Sequence, residues 1–267
     1  HSIASNEWKV VSSENFDDGN ANGWSSRTTS VCGKFGRILG GYNVFGQNAY
    51  TRKMFKLPYA PAKIRLRMEF VKIDSWDGEQ GQVWVNGILV WHKALRYAEG
   101  SQVCGAGHKN WNEKKYPINV VVEDPGSSIE VMVTSTINQH ARDESWGIDN
   151  VKMEAYGESP YEEIAYDTFE QGAPGWSNTA VTRCGYFGKI LGGFGKFGNG
   201  AHVSKTFELP TSPKKARVTL DFVKIDSWDG EKAVIRINGR QVFARAMRYH
   251  EGAQVCGQGH NKWNEKK

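Results

Sequence analysis

The chain has 267 residues and a formal net charge of +5, with 24% of its residues charged. Its Lys and Arg are scattered rather than blocked, unlike the basic footprint of a nucleic-acid binder, and no apolar run reaches the length of a membrane-spanning helix. The 30 Gly, 10 Trp, 10 Tyr and 12 Phe point instead to a chain rich in turns and aromatic packing.

The leader, residues 1–13, starts at His1 without a Met, as expected of a processed product or of a segment of something longer. It carries one short apolar pattern at Trp8, Val10 and Val11. A first domain is predicted over residues 14–156, opening on FDDGNANGW at 16–24. Ile64, Leu66, Met68 and Phe70 alternate with Arg65, Arg67 and Glu69, the period of a half-buried strand. DSWDGE (74–79) follows on a loop. Val83, Trp84, Val85 and Ile88, Leu89, Val90 then flank Asn86-Gly87, whose two positive φ angles make a type I′ hairpin turn. Further strands are predicted at 118–122, 129–134 and 151–156. GESPYEE, with Pro160, marks a polar linker over 157–165.

The second domain, 166–267, is a second writing of the first. FVKIDSWDGE at 70–79 recurs unchanged at 222–231, an offset of 152 that also carries Cys32 onto Cys184, Cys104 onto Cys256 and Trp111 onto Trp263. FEQGAPGW (169–176) repeats the opening with one residue deleted. Ala216, Val218, Leu220 and Phe222 repeat the alternation, and Asn238-Gly239 repeats the turn. The counterparts of 118–122, 129–134 and 151–156 are absent from the sequence. A fixed repeat of this length means tandem domains. Short strands, hairpin turns and no helical period over three turns predict an all-β protein of two tandem β-sandwich, jelly-roll-like domains, the second lacking its C-terminal strands.

The two Cys of each copy lie 72 residues apart, and no CxxC pair of a zinc site occurs. This spacing predicts Cys32–Cys104 and Cys184–Cys256 disulfides and an extracellular location, with four buried thiols as the alternative. No Asn-x-Ser/Thr sequon is present, so any glycan on a glycoprotein form would sit on Ser or Thr.

The opening F-[DE]-x-G…GW, the central W-x-G and the closing ESWGIDNV resemble secreted jelly-roll modules, among them carbohydrate-binding modules and lectin-like repeats of large microbial and protist surface proteins. The motifs mark such a sandwich and no particular sugar. The resemblance implies calcium between the opening acid, Asp17 or Asp18, and Asp149 of the closing strand. Glu170 is the counterpart of Asp17 in copy two, where Asp149 has none. DSWDGE offers a second acidic group, Asp74, Asp77 and Glu79, copied as Asp226, Asp229 and Glu231. Carboxylates in a Gly-containing turn can wrap calcium. The favoured reading of this turn is structural, with Trp76 in the core and the carboxylates capping amides.

No catalytic constellation is found, and enzyme activity is not expected. Asp74 with Asp77, and Asp143 with Glu144, sit on single turns and cannot flank a substrate from two sides. His108 and His260 are equivalent, in Gly-rich loops beside a Cys, and no nucleophile-elbow, Walker or zincin motif occurs.

Alternation turns Val83 and Val85 inward and Trp84 outward; copy two has Arg236 there, and Phe243 at the place of Trp91. Trp84, Trp91 and Trp8 are the candidate contacts: an outward Trp suits a glycan or a protein contact, against a plain cross-strand pair shielding a sheet face. The missing strands predict open apolar edges around Leu220 and Phe222, to be covered from outside residues 166–267. A chain boundary, a longer repetitive polypeptide or strand addition by a neighbouring subunit would each account for this, and the leader around Trp8 is the candidate donor. The leading expectation is a non-enzymatic secreted structural subunit of a filament, appendage or matrix at the cell surface, joined head to tail to copies of itself or to further repeats. The alternative is a carbohydrate-binding adhesin. Calcium is the one cofactor expected.

Overall fold

In a computed structural model, residues 7–57, 59–157, 161–210, 212–260 and 262–267 are described; Pro160 of the expected linker and the start of the leader, 1–6, lie outside them. The chain forms two compact units, His1–Glu163 and Ile164–Lys267.

The first unit is a sandwich of two antiparallel sheets. Its strands are β1 (Lys9–Glu14), β2 (Thr29–Val31), β3 (Arg37–Phe45), β4 (Tyr50–Lys56), β5 (Lys63–Asp74), β6 (Asp77–Val85), β7 (Ile88–Arg96), β8 (Lys114–Glu123), β9 (Ser128–Ser135) and β10 (Glu144–Tyr156). One sheet runs β2-β3-β10-β5-β8, with β1 also on β10, and the other runs β4-β9-β6-β7. From β3 onward the chain changes sheet at every connection but the β6–β7 hairpin, where Asn86 and Gly87 both hold the positive φ that the turn needs. The alternation of β5 is realised: Ile64, Leu66, Met68 and Phe70 point inward and pack in one core with Val83, Val85, Ile129, Val131, Val133, Trp146 and Ile148. Each such side chain contributes about 1.5–3 kcal/mol on burial. The closing motif is central: β10 pairs with β5 along one side, and with β3 and β1 in succession along the other.

That placement corrects the reading of the leader. Its strand is no spare for another subunit, because Lys9 and Glu14 pair with Ala155 and Val151 of the same sheet. Trp8 packs its ring against Tyr156 at 5.3 Å and under the Arg65 guanidinium at 4.4 Å. An edge strand lowers its free energy by pairing with the nearest open edge, and β10 supplies one at no cost in translational freedom.

The far half of β5 is buried on both faces. Its outer side packs on Cys32, Ile38 and Cys104, around the Cys32–Cys104 disulfide, whose Cα atoms are 4.8 Å apart. The fully buried Lys72 ammonium donates to the carbonyls of Arg96, Tyr97 and Asn112, which matches its three hydrogens and ties loop 97–113 onto the sheet.

Among its described residues the second unit keeps the local pieces, with two-stranded pairings in place of the two large sheets. β11 (Val181–Arg183) pairs with β12 (Lys189–Leu191), and β13 (Asp229–Ile237) with β14 (Arg240–Arg248). The Cys184–Cys256 disulfide is formed, and Lys224 repeats Lys72 by donating to Tyr249 and Asn264 carbonyls. The strand expected at Ala216, Val218, Leu220 and Phe222 does not form. Val218 and Leu220 are 58% and 52% exposed, where their counterparts Leu66 and Met68 are 0% and 2%. The reason is a lack of ladder partners. In the first unit β5 hydrogen-bonds to β10 on one side and β8 on the other; of these only the start of the β8 counterpart, at Lys266, is present to bridge Lys224.

Candidate functional site

Two features of the first unit bring chemistry-bearing side chains together. The first is the outward face of the sheet β4-β9-β6-β7. Register puts Arg52 beside Met132, Met132 beside Trp84, and Trp84 beside Leu89, a rung across all four strands. The next rung is Tyr50, Thr134, Gln82 and His92. Trp84 is partly buried, and its indole N–H donates to Gln82 Oε1 at 3.3 Å. Arg52 pairs with Glu130 at 3.4 Å on the same face. The result is an aromatic platform edged by amide, guanidinium and imidazole groups. Copy two keeps none of it: His202, Ser204, Val234, Arg236 and Ala244 stand at the places of Tyr50, Arg52, Gln82, Trp84 and His92. Trp91 belongs elsewhere. It lies opposite the inward Val83, after a bulge that shifts the register, and its ring is 5.7 Å from Phe70 against the core.

The second feature is the turn that carries the chain from β5 to β6. Trp76 is fully buried and donates to the Ser145 carbonyl at 2.9 Å, so the turn is pinned by its Trp. The carboxylates then part company. Asp74 turns toward the disulfide loop, where both of its oxygens accept the Ala106 N–H, at 2.9 and 3.1 Å. Gly105 makes room: a Cβ there would stand 2.1 Å from Asp74 Oδ1. Burial pushes the Asp74 carboxyl up to about 6, against the lowering effect of the Ala106 N–H and with help from Glu113. Asp226 repeats this arrangement, accepting from Gln258 N–H at 3.0 and 3.1 Å.

Asp77 and Glu79 point the other way and meet Glu144, the first residue of β10. One ligand oxygen from each lies within 4.8 Å of the others. Glu79 accepts from the Asp77 N–H at 2.8 Å and from Asn138 Nδ2 at 3.2 Å, and Glu144 Oε2 accepts from the Asn138 N–H at 3.3 Å. Burial, then the Glu79 charge, pushes Glu144 up to about 7. The residues alone did not single out Glu144 for this group. The signal was its position at the head of the closing motif, since pairing of β10 with β5 sets Glu144 opposite Asp74 and so beside the turn. In copy two Asp229 and Glu231 repeat the near half, with the Asp229 N–H donating to Glu231 at 2.7 Å.

Asp17 and Asp149 stand apart from this group and have other partners. Asp17 is exposed and accepts from Asn15 Nδ2 at 2.8 Å. Asp149 accepts from the Lys115 ammonium at 2.8 Å, an ion pair that Glu69 shares at 2.7 Å. Asp149 thus has the Lys115 ammonium as its counter-charge. His108 and His260 pack in tilted contact on Trp111 and Trp263, ring centroids 4.5 Å apart in each pair. In the second unit Glu170 binds the Lys189 N–H at 3.1 Å, in a polar hollow that Thr182 and Arg183 also line. Among the described residues no helix is long and apolar enough to cross a membrane.

The chain matches no protein-family model and no curated protein sequence. Among solved structures it is similar to the K3 cleaved adhesin domain of Lys-gingipain from Porphyromonas gingivalis, at 10% identity over 54% of this chain and 98% of that one, with a TM-score of 0.38. It is also similar to the CBM22-1 xylan-binding domain from Paenibacillus barcinonensis Xyn10C, at 14% identity over 58% and 100%, TM-score 0.34. A third is a family 35 carbohydrate binding module from Clostridium thermocellum, at 17% identity over 54% and 99%, TM-score 0.30. These likenesses are too weak to carry an inference about what this chain binds.

Proposed function

We propose that this chain is a non-enzymatic extracellular recognition protein that binds carbohydrate on the outward face of β4-β9-β6-β7. The observation that carries the reading is the pair of rungs around Trp84. An indole face stacks on a pyranose ring, and flanking Gln82, Arg52 and His92 offer donors and acceptors for its hydroxyls. The two disulfides fit a protein that works in an oxidising compartment. A glycan array with the full chain tests this. Binding to a defined glycan class is expected, and Trp84→Ala should abolish it while circular dichroism stays unchanged. No binding by the folded chain, or binding that survives Trp84→Ala, would overturn the proposal.

A second reading, a structural subunit of an extracellular filament or matrix, is favoured by a different observation: the apolar side chains of Val218, Leu220, Val242 and Phe243 that the second unit leaves exposed. Electron microscopy of native material separates the two. Polymers are expected on this reading, and isolated chains alone would exclude it.

A further inference from the structure

We propose that Asp77, Glu79 and Glu144, at the heads of β6 and β10, form a binding site for one divalent cation of the calcium class, apart from the Asp17 and Asp149 positions and from the rungs around Trp84. The first observation is convergence. Their three oxygens lie within 4.8 Å of one another, and two oxygens bound to one calcium at about 2.3–2.6 Å each can be no more than about 5 Å apart. The second observation is a vacancy in the hydrogen-bonding of Glu144. Its side chain is fully buried, and Oε1 meets no donor at hydrogen-bond geometry, although the Asn138 and Gln139 N–H groups act on the carboxylate; a buried carboxylate oxygen without a donor costs stability.

Glu113 Oε1 of the same unit is likewise without a hydrogen-bond partner, but the Lys72 charge acts on it, and other carboxylates of the unit are ion-paired. Glu14 is paired with Lys53, Glu154 with Arg65, and Asp149 and Glu69 share Lys115. Among the described residues no Lys or Arg pairs with Asp77, Glu79 or Glu144. Three like charges at this range repel, and the single side-chain donor, Asn138, is neutral. A cation resolves both defects at once, by supplying positive charge and a partner for the orphaned oxygen. The all-oxygen donor set excludes the soft metals that choose Cys or His, and the exposed Asp77 leaves room for the waters of an irregular shell. Bound there, the ion would tie the β5–β6 turn to loop 136–143 and to the head of β10, three segments that ordinary pairing joins only at their edges. Residues 1–267 hold one complete set of the three acids, so a polypeptide of these residues is expected to bind one ion.

The test uses the full chain, stripped with a chelator and titrated with calcium chloride by calorimetry, with thermal unfolding measured in parallel. Binding of one ion and a rise in Tm are expected. Glu144→Gln should raise Tm in chelator, by relieving the repulsion, and remove the calcium response. Asp77→Asn, on an exposed side chain that does not threaten folding, should weaken binding by about tenfold. No heat of binding and no Tm shift would overturn the proposal. So would a calcium response undiminished in both variants, or one lost instead in Asp17→Asn.

Discussion

Met68 and Leu220 occupy the same position in the two copies, and the structure assigns them opposite energetic roles. Met68 is 2% exposed between the sheets, whereas Leu220 is 52% exposed on a segment with no ladder. Truncation of a buried Met to Ala removes its transfer free energy and leaves a cavity, together about 2–5 kcal/mol. Leu220 has gained less than half of the about 1.5–3 kcal/mol that full burial supplies, and its site leaves no closed cavity, so Leu220→Ala should cost about 1 kcal/mol or less. Urea unfolding of the full chain at low concentration, followed by hydrogen exchange resolved on peptides from each unit, reads the two effects separately. Met68→Ala should lower the protection of 64–70 and 129–133 by its full amount; Leu220→Ala should leave the second unit almost as it was. An equal loss for Leu220→Ala in dilute, monomeric chain would mean that its face is closed after all. A loss that appears only as concentration rises would show copies covering one another there, through surfaces other than β1.

The disulfides and the buried Asp74 give two more expectations. Each disulfide closes a loop of 72 residues, so Cys104→Ser should cost about 4 kcal/mol in the chain-entropy model, and non-reducing peptide mapping that linked Cys32 to Cys184 or Cys256 would refute the pairing. Asp74 holds its proton more tightly in the folded chain, at about 6 against an ordinary 3.8. Its penalty is therefore absent below about 4, grows as pH rises, and is complete above about 6; thermal unfolding between pH 4 and 7 should show Asp74→Asn gaining on the wild type as pH rises, and parallel profiles would refute it.

How much could be taken from the residues alone depended on whether their partners were close in sequence. The β5 alternation, the Asn86-Gly87 turn and the paired Cys spacing are local or repeated signals, and each appears as expected in the first unit. What the residues could not show is set by register between distant strands. Trp91 stands beside Trp84 as a candidate contact in the sequence, and the bulge at Val83/Trp84 shifts it to the inward side. Asp74 and Asp77 looked like one acidic cluster because they are three residues apart; the buried Trp76 between them turns one to the disulfide loop and the other to Glu144. The leader looked spare because its partner, β10, lies about 140 residues further along the chain.

Comparison of the two copies shows which demands the fold makes and which it leaves open. Inward positions keep their apolar character: Leu66 becomes Val218, Met68 becomes Leu220, Val83 becomes Ile235, Val85 becomes Ile237. The buried lysine, the disulfide and the acid beneath it are kept without change, as Lys224, Cys184, Cys256 and Asp226. These are residues whose loss leaves a cavity or an unpaired buried group, so few substitutes are tolerated. Outward positions on β6 and β7 carry no such demand, and there the copies part: Gln82, Trp84 and His92 against Val234, Arg236 and Ala244. A hairpin written twice, as β6–β7 and β13–β14, thus presents two different outward faces. Any ligand that reads Trp84 and its neighbours must bind the first unit and pass over the second, so glycan binding by the full chain should saturate at one site per molecule. Two equivalent sites in an equilibrium titration would place recognition on a surface that both copies share, and would refute the role of Trp84.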